Sequence, residues 1–173
     1  PGYYVRGGFG GPVAESETLR FQVSGSYFDT DGYIDNPYLD EEADPFKDFS
    51  GRARLIWDVT EDFTADFRLS ASKTDTQALY FNITESVNDT SLDVRVNNRG
   101  VNERNMFSAS MKLDYETNFG TLTSITAYDT IDEILTGDQF DFLPVEESVL
   151  YAFFGADQAQ HQWLDVSAVS QEL

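Results

Sequence analysis

The chain of 173 residues contains no cysteine and a single histidine, His161. Without a thiol it can form no disulfide, thiolate zinc site, iron–sulfur cluster or cysteine nucleophile. One imidazole excludes a histidine-rich metal site, and no G-x-S-x-G motif places a serine nucleophile in the chain. We therefore expect no enzyme activity, no cofactor and no bound metal.

Basic residues are scarce as well. Lysine and arginine total 11 against 31 aspartates and glutamates, which gives a formal net charge of −20. That balance argues against nucleic acid or an anionic lipid surface as the main partner. No run approaches the roughly 18 apolar residues of a membrane-spanning helix, which excludes helical membrane proteins but not membrane barrels.

Along most of the chain, apolar and polar residues alternate with a period of two, as in a β-strand, and not with the period of a helix. In four runs one face is apolar and the other polar, and only Ile56 breaks the pattern. The four runs are residues 19–27, 52–59, 63–72 and 107–115. Two further strands are predicted at 120–130 and 163–173, where the pattern leaves the facing open, and the glycine-rich residues 3–13 form a weak strand or a loop. The predicted fold class is all-β and antiparallel.

The connections between these strands alternate in length. Short turns are predicted at 15–18, 60–62 and 116–120, and long connections at 29–50, 74–105 and 131–162. In an up-and-down meander this alternation places all the long loops at one end of the sheet.

Short turns, long loops and alternating strands are together typical of outer-membrane barrels. Trp57, Phe63 and Tyr115 are predicted at the short-turn ends, and Tyr27 and Tyr128 toward the long loops, as in two aromatic girdles. The other face mixes charges of both signs, which a watery lumen tolerates better than a dry core. A soluble β-sandwich also alternates and stays open as an alternative.

Several segments carry a resemblance to a known family. They are Gly11-Pro12-Val13-Ala14-Glu15, Asp31-Gly32-Tyr33-Ile34-Asp35-Asn36, Leu122-Thr123-Ser124-Ile125-Thr126-Ala127-Tyr128 and Ser170-Gln171-Glu172-Leu173. In order and spacing they resemble the early barrel strands of proteobacterial TonB-dependent outer-membrane receptors. The resemblance implies that residues 1–173 are a fragment, about seven strands of a transmembrane antiparallel barrel with 22 strands. The plug domain and the remaining strands would lie outside it.

The resemblance also implies a function and a location. The parent protein would sit in the cell outer membrane with its long loops extracellular, and would import a scarce nutrient such as a ferric siderophore. Its implied partners are outer-membrane lipid, its own plug domain and remaining strands, the TonB complex acting through the plug, and a small-molecule ligand that the sequence does not name. Two alternatives remain open: a passive porin-like channel and a soluble β-sandwich binding module.

Two sets of residues are candidates for contacts within such a receptor. The basic side chains Arg52, Arg54, Arg68 and Lys112 are predicted to face the lumen and contact the plug or the substrate, unless they pair across strands, as Arg54 could with Asp66. Loop aromatics are the second set, predicted either to contact ligand or to pack among loops. They are Phe140, Phe142, Tyr151, Phe153 and Phe154.

Acidic residues concentrate in two predicted loops, 29–48 and 129–157. Such oxygen-rich segments suit hard cations, but Gly32 comes too early for an EF-hand loop and no bidentate glutamate follows at the required distance. For 29–48 we therefore favour a solvated surface loop over a specific calcium site. For the acidic charge of both loops together, solubility is the favoured interpretation, and two alternatives stay open: divalent cations that bridge to lipopolysaccharide, and a ligand vestibule that favours cations.

Overall fold

The structure is a computed structural model that describes residues 1–77, 86, 88–89, 91, 93–138 and 143–173. Nearly all of its regular structure is β, with one short helix, α1, at Val149–Phe154. The strands are β1 (Gly2–Pro12), β2 (Leu19–Thr30), β3 (Asp35–Asn36), β4 (Glu41–Glu42), β5 (Phe46–Thr60), β6 (Phe63–Thr76), β7 (Val101–Thr117), β8 (Gly120–Asp138) and β9 (Ala159–Glu172). The prediction of an all-β, antiparallel fold is confirmed.

One sheet of seven strands dominates, in the order β1-β2-β5-β6-β7-β8-β9. Every long strand pairs antiparallel with its neighbour, and β3 and β4 form a small hairpin between β2 and β5. The sheet is open, with β1 and β9 at its edges. The connections at 13–18, 61–62 and 118–119 are short and those at 31–45, 77–100 and 139–158 are long, which confirms the predicted alternation. Within the described residues, no helix has the length and apolar character needed to cross a membrane.

The register of the strands creates two chemically different faces. Residues directly opposite each other in a ladder share a face. One row runs through Gln22, Arg54, Arg68 and Ser110, and we call this side the polar face. The neighbouring row, on the other side, runs through Val23, Ala53, Leu69, Ala109 and Tyr128, and we call that side the apolar face.

Several strands are longer than the sequence predicts. The acids Asp129, Asp132, Glu133 and Asp138, predicted in the third long loop, lie in β8. Two of these acids have cross-strand partners within the sheet: Arg104 pairs with Glu133 at 2.7 Å, and the Ser108 hydroxyl donates to Asp129 at 2.5 Å. Tyr128 therefore lies within the strand opposite Ala109, so its prediction near the loop end is wrong.

The structure also resolves the facing of the last two strands. In β8, Ile125 and Ile131 lie on the polar face while Tyr128 lies on the apolar face, and β9 places Val166 opposite Ile131. Apolar residues thus occupy both faces of these strands, which is why their alternation could not be read. The glycine-rich segment at the start of the chain is strand β1, paired with β2 along its full length.

The apolar face is uncovered. Phe9 is 68 % exposed, Phe49 58 % and Leu69 51 %, although all three are large apolar side chains. Across the described ranges, the only other sheet is the two-stranded β3–β4 hairpin, whose strands are two residues each. The described residues therefore supply no second layer of the kind that a β-sandwich packs against such a face.

A tight turn organises the connection between β2 and β5. One Asp44 carboxylate oxygen accepts hydrogen bonds from the backbone amides of Tyr33 and Ile34, at 2.7 and 2.8 Å. Gly32 precedes them with φ of +115°, and a β-carbon there would clash with the Asp44 carboxylate. A glycine is required at this position for both reasons.

We predict that Gly32→Ala loosens this turn, lowering the free energy of its local unfolding by about 1–3 kcal/mol. Hydrogen exchange at the Tyr33 and Ile34 amides measures the effect. Gly120→Ala is the matched control, because Gly120 also has positive φ (+149°) but an added β-carbon there meets nothing within 4 Å. Equal exchange at the Tyr33 and Ile34 amides in both variants would contradict the role given to Asp44.

Candidate functional site

The three long connections meet at one end of the sheet and interlock. We call residues 31–45, 77, 93–100 and 143–158 of these connections the loop cluster. At its centre the Asn36 side-chain amide donates to the Val96 carbonyl at 3.0 Å. Asn36 is 1 % exposed and Val96 0 %, so the first two connections share a buried core. Gln77 adds a second link, donating to the Glu42 carbonyl at 3.3 Å.

Ionic and polar contacts attach the third connection to the other two. Arg95 donates two hydrogen bonds to the Glu147 carboxylate, at 2.8 and 2.6 Å. Asn97 donates to Asp157 at 2.9 Å, and the Tyr38 hydroxyl lies 3.4 Å from Glu146. The loop end is therefore one connected unit rather than three independent segments.

These contacts shift the pKa values of titratable groups in the loop cluster. The hydrogen-bonded Arg95 guanidinium lowers the pKa of Glu147 below its ordinary value of 4.5. Desolvation raises the pKa of Tyr38, and the charge of Glu146 adds to that effect. At neutral pH Glu147 is accordingly ionised and able to hold Arg95.

Helix α1 presents aromatic side chains at the surface of the loop cluster. Its N-terminus is capped by the Ser148 side chain, which accepts from the Tyr151 amide at 3.4 Å, and it ends at Gly155 with φ of +68°. Phe153 is 84 % exposed and Phe154 67 %. Of the predicted loop aromatics, Tyr151, Phe153 and Phe154 thus lie on this helix, while Phe140 and Phe142 lie outside the described residues.

The predicted basic residues gather on the polar face. Arg52, Arg54 and Arg68 line one hollow of about 480 Å³. Arg54 makes a bidentate contact with Asp66, at 2.9 and 2.7 Å, and Arg68 reaches the same carboxylate at 2.7 Å. The cross-strand alternative is therefore confirmed for Arg54. Lys112 stands apart from the hollow and pairs with Asp114 at 2.7 Å.

Three acids of the first predicted loop, Asp29, Asp44 and Asp48, accept hydrogen bonds from the protein. Asp29 accepts the Tyr27 hydroxyl and Asp48 accepts the Thr74 hydroxyl, each at 2.9 Å, while Asp44 holds the turn described above. Among the residues that the structure describes, no group of three or more acidic, histidine or cysteine side chains is arranged to hold a metal ion. These contacts give the acids a structural role.

Sequence reasoning missed the connections within the loop cluster and helix α1. The contact between Asn36 and Val96 joins residues far apart in the chain, and no local sequence pattern predicts it. Helix α1 could have been predicted from the sequence, because Ser148 at its N-terminus and Gly155 at its C-terminus are typical capping residues.

No protein-family model matches the chain, and no solved structure matches it significantly.

We predict that Glu147→Gln detaches the third connection from Arg95 and increases hydrogen exchange in residues 143–158. Because the folded pKa of Glu147 is depressed, the contact is fully present above the ordinary value of 4.5 and is lost as pH falls through the lowered pKa. The native chain should show the same increase on acidification, whereas Glu147→Gln should not respond further. Glu146→Gln is the control, since its contact to Tyr38 is long, and an equal effect in both variants would refute the assignment.

Proposed function

We propose that this chain is part of the barrel wall of a TonB-dependent outer-membrane receptor that imports a scarce nutrient such as a ferric siderophore. Two independent lines support the proposal. The segments quoted above resemble early strands of that family, and the sheet is an antiparallel meander with short turns at one end and long loops at the other.

The exposed apolar face is the observation that carries the proposal. On β7 its apolar residues run from Phe107 to Tyr115, which spans about 27 Å along the strand at about 3.4 Å per residue. A barrel strand tilted by about 40° would project this length to about 21 Å, close to the band of about 25 Å that lipid requires. Lys73 and Asn105, paired with each other on the same face, end the band on the loop side.

Aromatic side chains lie at both borders of the apolar band. At the short-turn border Phe63 and Tyr115 pack at a centroid distance of 6.4 Å, and Trp57 lies nearby on β5. At the loop border Tyr27 and Phe49 are direct cross-strand partners. Aromatic rings at both margins are typical of strands that cross a bilayer between two interfaces.

The open edges fit a part of a larger barrel. β1 and β9 each leave one side of their backbone without a strand partner in the described sheet. Membrane strands need every backbone group paired, so further strands would have to complete the wall. In this arrangement the polar face lines the lumen, the loop cluster meets extracellular ligand, and a plug energised by the TonB complex controls the path.

Fractionation of cells that make the complete protein tests the proposal. We expect the protein in the outer-membrane fraction, with a gel mobility that changes on boiling. Uptake of the ligand should stop when a protonophore collapses the proton gradient. Uptake that persists would favour a passive porin-like channel, and a protein found in the soluble fraction would overturn the barrel assignment altogether.

A further inference from the structure

Positive charge accumulates on the polar face of a chain that is strongly acidic overall. Arg52, Arg54 and Arg68 line the hollow of about 480 Å³, and a neighbouring hollow of about 520 Å³ is lined by Arg6 and, again, Arg52. No acidic side chain lines either hollow. Four guanidinium groups thus occupy one continuous stretch of the face.

Asp66 neutralises only part of this charge. Its carboxylate, 8 % exposed, binds both Arg54 and Arg68, which are direct cross-strand neighbours and would otherwise repel each other. One negative charge is thereby shared between two positive ones. Arg52 and Arg6 form no ion pair or hydrogen bond with any described residue, so their donors face the hollows unpaired.

Serine hydroxyl groups flank the unpaired guanidinium of Arg52. Ser24 and Ser70 are the direct cross-strand partners of Arg52 on its two sides, and both line the same hollow. At the far side Ser108 is engaged by Asp129, which limits the positive region toward β8. The hollow therefore offers guanidinium and hydroxyl donors together, the groups that bind carboxylate and phosphate oxygens.

We propose that these hollows bind a small solute bearing two or more negative oxyanion charges, of the polycarboxylate or phosphate class, with Arg52 as the principal contact. The charge complementarity favours a multiply charged anion, because the stretch retains an excess of positive charge after Asp66 is counted. The inference deepens the proposed function, on which it rests for the route by which the anion arrives.

Titration calorimetry on the complete protein in non-ionic detergent, at low ionic strength, tests this site with citrate and inorganic phosphate as probes. Arg52→Gln should weaken binding by about tenfold, the loss expected for one charge-assisted hydrogen-bonding partner. Asp66→Asn should act in the opposite direction and tighten binding, since it frees Arg54 and Arg68. Added salt should weaken binding in the native protein.

Arg20→Gln is the matched control. Arg20 lies on the same face and its side chain is 52 % exposed, but it is paired with Asp58 at 2.6 Å. Equal weakening by Arg52→Gln and Arg20→Gln, or no binding of either probe, would overturn the site. A polyglutamate peptide that binds through Arg52 more tightly than citrate would also overturn it, by assigning the hollow to an acidic protein segment.

The relative affinities of citrate and phosphate separate the two anion classes, and binding of either supports the site. The binding test and the fractionation test fail separately. If the protein proved soluble, loss of binding in Arg52→Gln would still support the anion site. If the protein lay in the outer membrane but bound neither probe, the proposed function would stand without this site. Far-ultraviolet circular dichroism and heat-modifiability of each variant show that the sheet has formed before its affinity is compared.

Discussion

A sheet whose one face carries exposed aliphatic and aromatic side chains needs something other than water against that face. Here Phe9, Phe49, Leu69 and their neighbours form such a face across β1 to β7, and no second layer covers it among the residues the structure describes. Every functional interpretation of the chain depends on what lies there. We propose lipid as the occupant, because it agrees with the height of the band, its aromatic margins and the charged residues beyond it.

The polar face and the loop cluster follow from the same strand register. Alternation places the arginines on the polar face, behind the apolar band. There Asp66 binds Arg54 and Arg68, while Arg52 has no ion-pair partner among the described residues. The meander brings the three long connections to one end, where Asn36, Val96 and the pair Arg95–Glu147 join them. In the proposed ligand-importing barrel, these features would serve as wall, internal surface and connected loop end.

The sequence predicts those features that local patterns encode. Alternation located β2, β5, β6 and β7 because each strand has one apolar and one polar face, and it also anticipated the pair Arg54–Asp66. It failed where both faces are mixed, as with Ile125 and Tyr128 in β8. It also predicts the β8 acids in a loop, although Glu133 and Asp129 have cross-strand partners within the sheet.

Contacts between residues far apart in the chain could not be predicted from the sequence. The loop cluster depends on pairs such as Asn97 with Asp157, whose partners are separated by whole strands and carry no shared motif. The hollows on the polar face likewise combine residues from several strands, so their composition emerges only from the register. The basic residues were identifiable one by one, but the pairing of Lys112 with Asp114, outside the hollow that the other three line, was not.

These 173 residues contain no cysteine, which simplifies a direct test of the central claim once any cysteine elsewhere in the complete protein is replaced by serine. Single cysteines placed at Phe67, Arg68, Leu69 and Ser70 in β6 can be spin-labelled in the complete protein, reconstituted in lipid bilayers. The account predicts alternating accessibility: labels at 67 and 69 should be reached by lipid-soluble oxygen, and labels at 68 and 70 by a water-soluble nickel complex. Labels at 67 and 69 that are open to the nickel complex, or closed to both reagents, would contradict a lipid-facing sheet.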